Sequence, residues 1–386
     1  MPSLIRKNIR RWQKDNERHI WIFGLGTGLA LYGIHWREQP LLNYFFLPQL
    51  GLIIIIACLL LYYTKYSHRP DFGPKYVWVP MLVIVASIVA RLVVDFSFIS
   101  AAGALYGVIL FGVYLLSRQL GKEIFMVFIP FVAIVAVSCI VNGIMHPGET
   151  TGGIITNYCA SAGFMIFGTA VNKFKWQWVL ATLVLVALFF VGALEALFAV
   201  IVLGIVILAR KDWGRKLLLP IGLVAVVLLS SVMMGNFGAL WGKTNLAVAK
   251  DLITGETPVS DATLDMATTG RWVAYDRAVS NIEPLGHGFW VTMPPECVEG
   301  YSIEYEPVHN VPLVIVDQIG PTAGLAWLFI TIFCLVKTKW KYAWSAVLVL
   351  SVFDHYIFTQ FAPYWWCLAG VSTASTLKSD YIFRKI

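Results

Sequence analysis

The sequence predicts an all-α polytopic membrane protein, a single transmembrane domain over residues 1–386 with about twelve spanning helices and one large extracytoplasmic loop that contains short helices. Three observations predict it. Hydrophobic residues make up 58% of the chain and charged residues only 13%, with a mean hydropathy of +0.73, far from the balance of a water-soluble domain. Apolar runs of roughly 17–25 residues, the length a ~30 Å hydrocarbon layer demands, recur along nearly the whole chain, and such runs satisfy their backbone in lipid by forming helices. Lysines and arginines cluster in alternate short connections between those runs, as membrane topology requires.

The chain opens on a polar, basic tail (Arg6, Lys7, Arg10, Arg11, Lys14, Arg18) followed by an apolar run from His19. No small-residue cleavage pattern precedes Arg37, so this start reads as a signal anchor. Apolar runs then predict spans near 19–36, 41–63, 77–96, 100–117, 124–145, 151–171, 176–191, 194–209, 216–236, 311–336, 341–358 and 361–377. The continuous run 176–209 must turn around Gly192, which brings Glu195 to the outer face. Of the 29 lysines and arginines, all but Arg37, Arg91, Lys243, Lys250, Arg271 and Arg277 fall in the tails or in alternate connections. Both termini are therefore expected in the cytoplasm, and residues 237–310 outside. The net charge of +7 follows from this arrangement and does not indicate a nucleic-acid partner. Cys58, Cys139, Cys159, Cys334 and Cys367 lie in apolar runs, Cys297 lies in the loop, and no metal-type spacing occurs.

The outer stretch 237–310 is the long polar segment of the chain, with ten acidic residues against four basic ones. Within it, residues 268–281 (TTGRWVAYDRAVSN) place a threonine at a plausible N-cap and Trp272, Tyr275 and Val279 on one face of a short amphipathic helix. Arg271 falls in its first turn, where free N–H groups favour an anion; it reads as a bidentate phosphate clamp, with a structural ion pair as the alternative. Arg277 points elsewhere and reads first as an ion-pair residue, with a substrate contact second. Pro284-Leu285-Gly286-His287-Gly288 is a glycine-bracketed turn in which His287 reads as a turn residue rather than a catalyst. His309 precedes an apolar helix, where it is either a general base for an incoming hydroxyl or a helix cap. Charges within the apolar runs are few, with Arg91, Asp95, Asp317 and Asp354 among them. Asp95, four residues on, is the expected partner of Arg91. Trp36, Trp176, Trp365 and Trp366 read as interfacial anchors, and Trp272 or Trp290 as possible sugar platforms.

Taken together, Gly270-Arg271…Tyr275, Pro284-Leu285-Gly286…Gly288, His309-Asn310…Pro312-Leu313 and Gly320…Ala323-Gly324-Leu325 form a pattern that resembles the signature region of the O-antigen ligase and O-antigen polymerase superfamily. The resemblance covers about residues 268–330 and is architectural elsewhere. It implies a metal-independent, inverting membrane glycosyltransferase of the C type in the bacterial inner membrane, without a cofactor. Such an enzyme moves a glycan from an undecaprenyl diphosphate carrier to a lipid or glycan acceptor hydroxyl on the outer face. Carried over by position, Arg271 is the diphosphate contact and His309 the base, with Arg277, Tyr275 and Asn310 beside them. Asn157 sits where the family often has an asparagine, a buried helix–helix hydrogen bond being the alternative. The family's Ser-Arg pair at the eighth span is replaced here by Gly192-Ala193-Leu194-Glu195, which leaves Arg91 as a candidate second cation. A polysaccharide polymerase is the alternative within the class. From other classes, the alternatives are a transporter or flippase of lipid-linked sugars and a scaffolding protein with an adhesive loop.

Overall fold

A computed structural model of the chain describes residues 17–29, 47–66, 70–145, 177–191, 246–267, 272–288, 310–353 and 362–374. Every regular element among them is helical. A first helix, α1, occupies 17–29. It is followed by α2 (Leu47–Tyr66), α3 (Lys75–Val94), α4 (Phe98–Leu120), α5 (Ile124–Met145) and α6 (Gln177–Val191). Among its described residues, the polar stretch 237–310 contributes three short helices, α7 (Leu246–Thr254), α8 (Asp261–Ala267) and α9 (Trp272–Ser280). The chain then continues through α10 (Val311–Ile319), α11 (Pro321–Lys337), α12 (Lys341–Phe353) and α13 (Ala362–Thr373). The expected spans at 151–171, 194–209 and 216–236 lie outside the described residues, as do Glu195, Cys159 and Cys297.

Among the described residues, two stretches are long and apolar enough to cross a membrane: Lys75–Val94, with mean hydropathy 2.4, and Ser100–Val141, with 2.9. The second is interrupted at Gly121, whose φ of 79° and ψ of −163° end α4 before a single 3-10 turn, Gly121–Glu123, leads into α5. The start of α4 is fixed by Ser97, whose hydroxyl accepts from the backbone N–H of Ser100 at 3.1 Å, a standard N-cap.

Two of these helices are apolar on both their inward and outward faces. On α11, Trp327, Ile330 and Cys334 are buried, whereas Leu325, Phe329, Ile332 and Val336 are exposed on the other side. On α3, Val77, Met81, Ile84 and Ile88 face the core, and Tyr76, Val79, Leu82, Val89 and Val93 face outward. A helix that is apolar all round belongs in an apolar medium; contiguous exposed surface of this kind in water would drive aggregation.

Tyr76 at the start of α3 packs on Phe333 near the end of α11, their rings 4.5 Å apart, and Arg91 near the far end of α3 bonds to Gly286 in the turn that lies against Gly320, just before α11, so the two run antiparallel. α4 and α13 instead share an end. There the Arg118 guanidinium donates to the Thr373 carbonyl, to the Asp71 carbonyl at 3.1 Å and to the Asp71 carboxylate at 3.1 Å. The Tyr114 hydroxyl donates to the Phe72 carbonyl at 2.9 Å. Arg118, counted in the sequence as a connecting basic residue, is thus a buried clasp that ties the α2–α3 connection to α4 and α13.

Two expectations are corrected here. Trp365 and Trp366, read as interfacial anchors, are fully buried; Trp365 stacks on Trp327 at 6.1 Å and meets Trp344 edge-on at 6.0 Å. Large rings fill the gap between α11, α12 and α13, and that packing outweighs any interfacial preference. The single span expected over 311–336 is two helices, because Gly320 leaves helical geometry at φ 97°, ψ 163° and Pro321 has no N–H to continue the ladder.

Candidate functional site

The break between α10 and α11 is where the polar stretch 237–310 meets the apolar helices. The last turn of any helix leaves four carbonyls without intrahelical partners. In α10 they are met locally and by a segment from about thirty residues upstream. The Gly320 N–H donates to the carbonyls of Ile315 and Val316, each at 3.0 Å, the His287 N–H to Asp317 at 2.7 Å and the Gly288 N–H to Gln318 at 3.0 Å.

This docking needs two glycines. Gly286 sits at φ 64°, and a Cβ there would lie 2.4 Å from the carbonyl carbon of Gln318. At Gly320 a Cβ would lie 2.2 Å from the Pro284 carbonyl oxygen. Only a residue without a side chain tolerates either position.

The docked turn carries a polar cluster. His287, buried, is held by Nδ1 at 3.0 Å from the Asp317 carboxylate. Arg91 comes from the end of α3, and its Nη1 donates to the Gly286 carbonyl at 2.8 Å. The same nitrogen lies 3.4 Å from Oε2 of Glu283, while His287 Nε2 lies 3.7 Å from Oε1 of that carboxylate. Arg91 Nε and His287 Nε2 are buried and have no hydrogen-bond partner. Burying such polar nitrogens without a partner is unfavourable, so the cluster is polar beyond what holding the turn requires.

Arg91 therefore has Glu283 and the Gly286 carbonyl as its partners, not Asp95 as the i,i+4 spacing suggested. The physical reason is local: Asp95 is the non-helical residue ending α3, with φ −129° and ψ 90°, so the helical spacing does not extend to it. His287, read as a turn residue, is a buried hub. The signal available in the sequence was that Arg91 and Asp317 both fall in apolar runs, where an ionisable group needs a partner.

The other expected site residues divide. The helix expected over 268–281 is α9, and it packs on α10. Trp272 and Tyr275 are half-buried, Tyr275 against the core, and Ala278 is buried, but Val279 is exposed; the expected face thus holds at Trp272 and Tyr275 and continues through Ala278 instead of Val279. The Trp272 indole N–H donates to Asp261 of α8 at 3.1 Å. Asn310 is the N-cap of α10: its Oδ1 accepts from the Leu313 N–H at 3.1 Å and its Nδ2 donates to the Val352 carbonyl at 3.2 Å. With both ends of its amide engaged, Asn310 fixes where α10 begins beside position 309. Arg271, His309 and Asn157 lie outside the described residues, and so does the side chain of Arg277.

No protein-family model, curated protein or solved structure matches the chain.

Proposed function

We propose that the protein is an O-antigen-ligase-like membrane glycosyltransferase with twelve spans and cytoplasmic termini. It transfers a glycan from an undecaprenyl diphosphate carrier to an acceptor hydroxyl on the outer face of the bacterial inner membrane. The observation that carries this reading is the convergence of the signature segments on one helix. Pro284–Gly288 caps the end of α10, Gly320 forms its break with α11, Asn310 caps its start, and α9 with Tyr275 packs along it. Segments that resemble one family pattern in sequence are thus brought together in space, with the glycines at positions of unavoidable close approach. The outward-facing apolar surfaces of α3 and α11 and their antiparallel course support a membrane setting and the topology read from the charges.

In this mechanism the acceptor oxygen attacks the anomeric carbon as the bond from that carbon to the carrier diphosphate breaks, inverting the configuration. His309 takes the hydroxyl proton, and Arg271 stabilises the charge developing on the diphosphate. Arg277, Tyr275 and Asn157 line or support the substrate path. Arg91 and Asn310 set the two ends of the α10 segment.

The reading is tested by incubating purified protein with a lipid-diphosphate-linked glycan and an acceptor. It requires a product with the opposite anomeric configuration, release of the prenyl diphosphate, and turnover that persists in EDTA. Vectorial movement of the lipid-linked sugar in vesicles with no new glycosidic bond would establish a flippase instead.

A further inference from the structure

The α4–α5 turn buries a carboxyl that the candidate site does not use. Glu123, the last residue of the 3-10 turn Gly121–Glu123, is 6% exposed, and its Oε1 is buried with no hydrogen-bond partner. Its Oε2 folds back over Gly121, where a Cβ would lie 2.8 Å from that oxygen. Gly121, at φ 79° and without a side chain, leaves room for this return. The turn is seated on α4, α5 and α13, and α13 is buried at every residue from Ala362 to Val371. A carboxylate with one oxygen unpaired is costly in such a seat, whereas a protonated carboxyl carries no charge and has a donor of its own.

The helices packed on the turn do little to offset that charge. α5 has no charged residue over Ile124–Met145, and α13 has none over Ala362–Thr373, its titratable groups being Tyr364 and Cys367. α4 brings the phenols of Tyr106 and Tyr114 and the guanidinium of Arg118, which is already bonded to Asp71 and Thr373. Lys122, on the turn itself, is the cation that acts on Glu123. Burial outweighs it and pushes the carboxyl up to about 7, with the Glu123 backbone N–H and Lys122 pulling the other way. We propose that the α4–α5 turn is a proton-operated latch: Glu123 as a neutral acid keeps it closed against α13, and on ionising carries it outward into water. The closed turn keeps the proton up to about pH 7, and the open turn releases it near the ordinary value of 4.5. Opening therefore becomes about tenfold easier per pH unit between those values and levels off above pH 7. The turn falls in a connection that the charge pattern assigns to the cytoplasm, so the latch reads pH on that side. It acts on the seating of α13, which meets α11 through Trp365 and Trp327, and it holds whatever reaction the protein performs.

The slope with pH makes the test specific. Amide hydrogen exchange of the full-length protein in lipid nanodiscs is followed from pH 5 to 8.5 and corrected for the intrinsic exchange rate at each pH. Peptides covering the turn and the start of α5 should lose protection about tenfold per pH unit up to about pH 7, a hundredfold or more in all, and then level off. Peptides from α3, which does not touch the turn, should keep theirs. Glu123→Gln, neutral at every pH, should leave the turn protected throughout. Lys122→Gln removes the cation that favours the ionised form, so the levelling-off should move to higher pH; this variant and the slope of the unaltered chain carry the test even if Glu123→Gln does not fold. Protection of the turn that is independent of pH in the unaltered chain overturns the proposal. A pH-dependent loss that persists in Glu123→Gln overturns it too, as does an equal loss in α3, which would mark loosening of the whole bundle, or an unmoved levelling-off in Lys122→Gln.

Discussion

At the scale of single residues, Gly286 and Gly320 are the strictest requirements. Gly286→Ala puts a methyl group on the Gln318 backbone at a positive φ, which the turn can relieve only by leaving α10. The expected cost is about 2 kcal/mol or more, read as a lowered unfolding midpoint in detergent together with loss of activity. Gly255 has a similar φ but open space around it, so Gly255→Ala should cost only the backbone strain, about 1 kcal/mol, and serves as the control. Glu123 sets a pH dependence. Burial in the α4–α5 turn pushes its carboxyl up to about 7 from 4.5, with its own backbone and Lys122 pulling the other way. The folded state keeps this proton at pH values where the unfolded chain has released it. The associated stability is therefore present below about pH 4.5 and lost as pH rises through 7, by about 3 kcal/mol at most. Glu123→Gln should abolish that decline across pH 5–8, measured as the unfolding midpoint against pH; an unchanged slope would contradict the assignment. Little of this residue-level detail was legible in the sequence. The glycine bracket around His287 marked a tight turn, but nothing local to it named Asp317 or Arg91, which come from different helices.

At the scale of elements, the sequence was most informative where one apolar run makes one helix. The run 124–145 became α5 with those same bounds, and 77–96 became α3, shifted by two residues. The 311–336 run misled because average hydropathy does not register a helix break: Gly320-Pro321 interrupts the ladder without making the segment less apolar. Trp365 and Trp366 misled for a related reason, since residue type marks an affinity for interfaces but not which helices meet there. The Arg118 clasp gives an element-level test. Arg118 is only 3% exposed in its side chain, whereas Asp71 is 47% exposed. Arg118→Ala strands the carbonyls of Asp71 and Thr373 and should cost about 3 kcal/mol, while Asp71→Asn keeps the backbone acceptor and should cost under about 1 kcal/mol. Equal losses in chemical-denaturation midpoints would show that the clasp is not the joint between α2–α3 and α13.

At the scale of the whole molecule, two independent patterns point the same way. Charges alternate between connections, and helix faces directed away from the core stay apolar. The topology predicts that cysteines introduced at Ile253 or Val259, both well exposed in the outer stretch, are labelled by an impermeant thiol reagent in intact spheroplasts. One at Lys122 should be labelled only after permeabilisation; each is introduced into a chain carrying Cys159→Ser and Cys297→Ser, in which native Cys58, Cys139, Cys334 and Cys367, all buried and unpaired, should stay unlabelled in both. The proposed chemistry rests on the spaced pattern from Gly270 to Leu325. The structure adds why its pieces belong together, since they cap, break and cover one helix. The most direct measurement is glycan transfer by purified protein from a lipid-diphosphate donor, comparing Arg271→Ala and His309→Ala with the unaltered chain in samples of matched thermal stability. The account predicts that each variant loses at least about a hundredfold in turnover; near-normal turnover by both would contradict it.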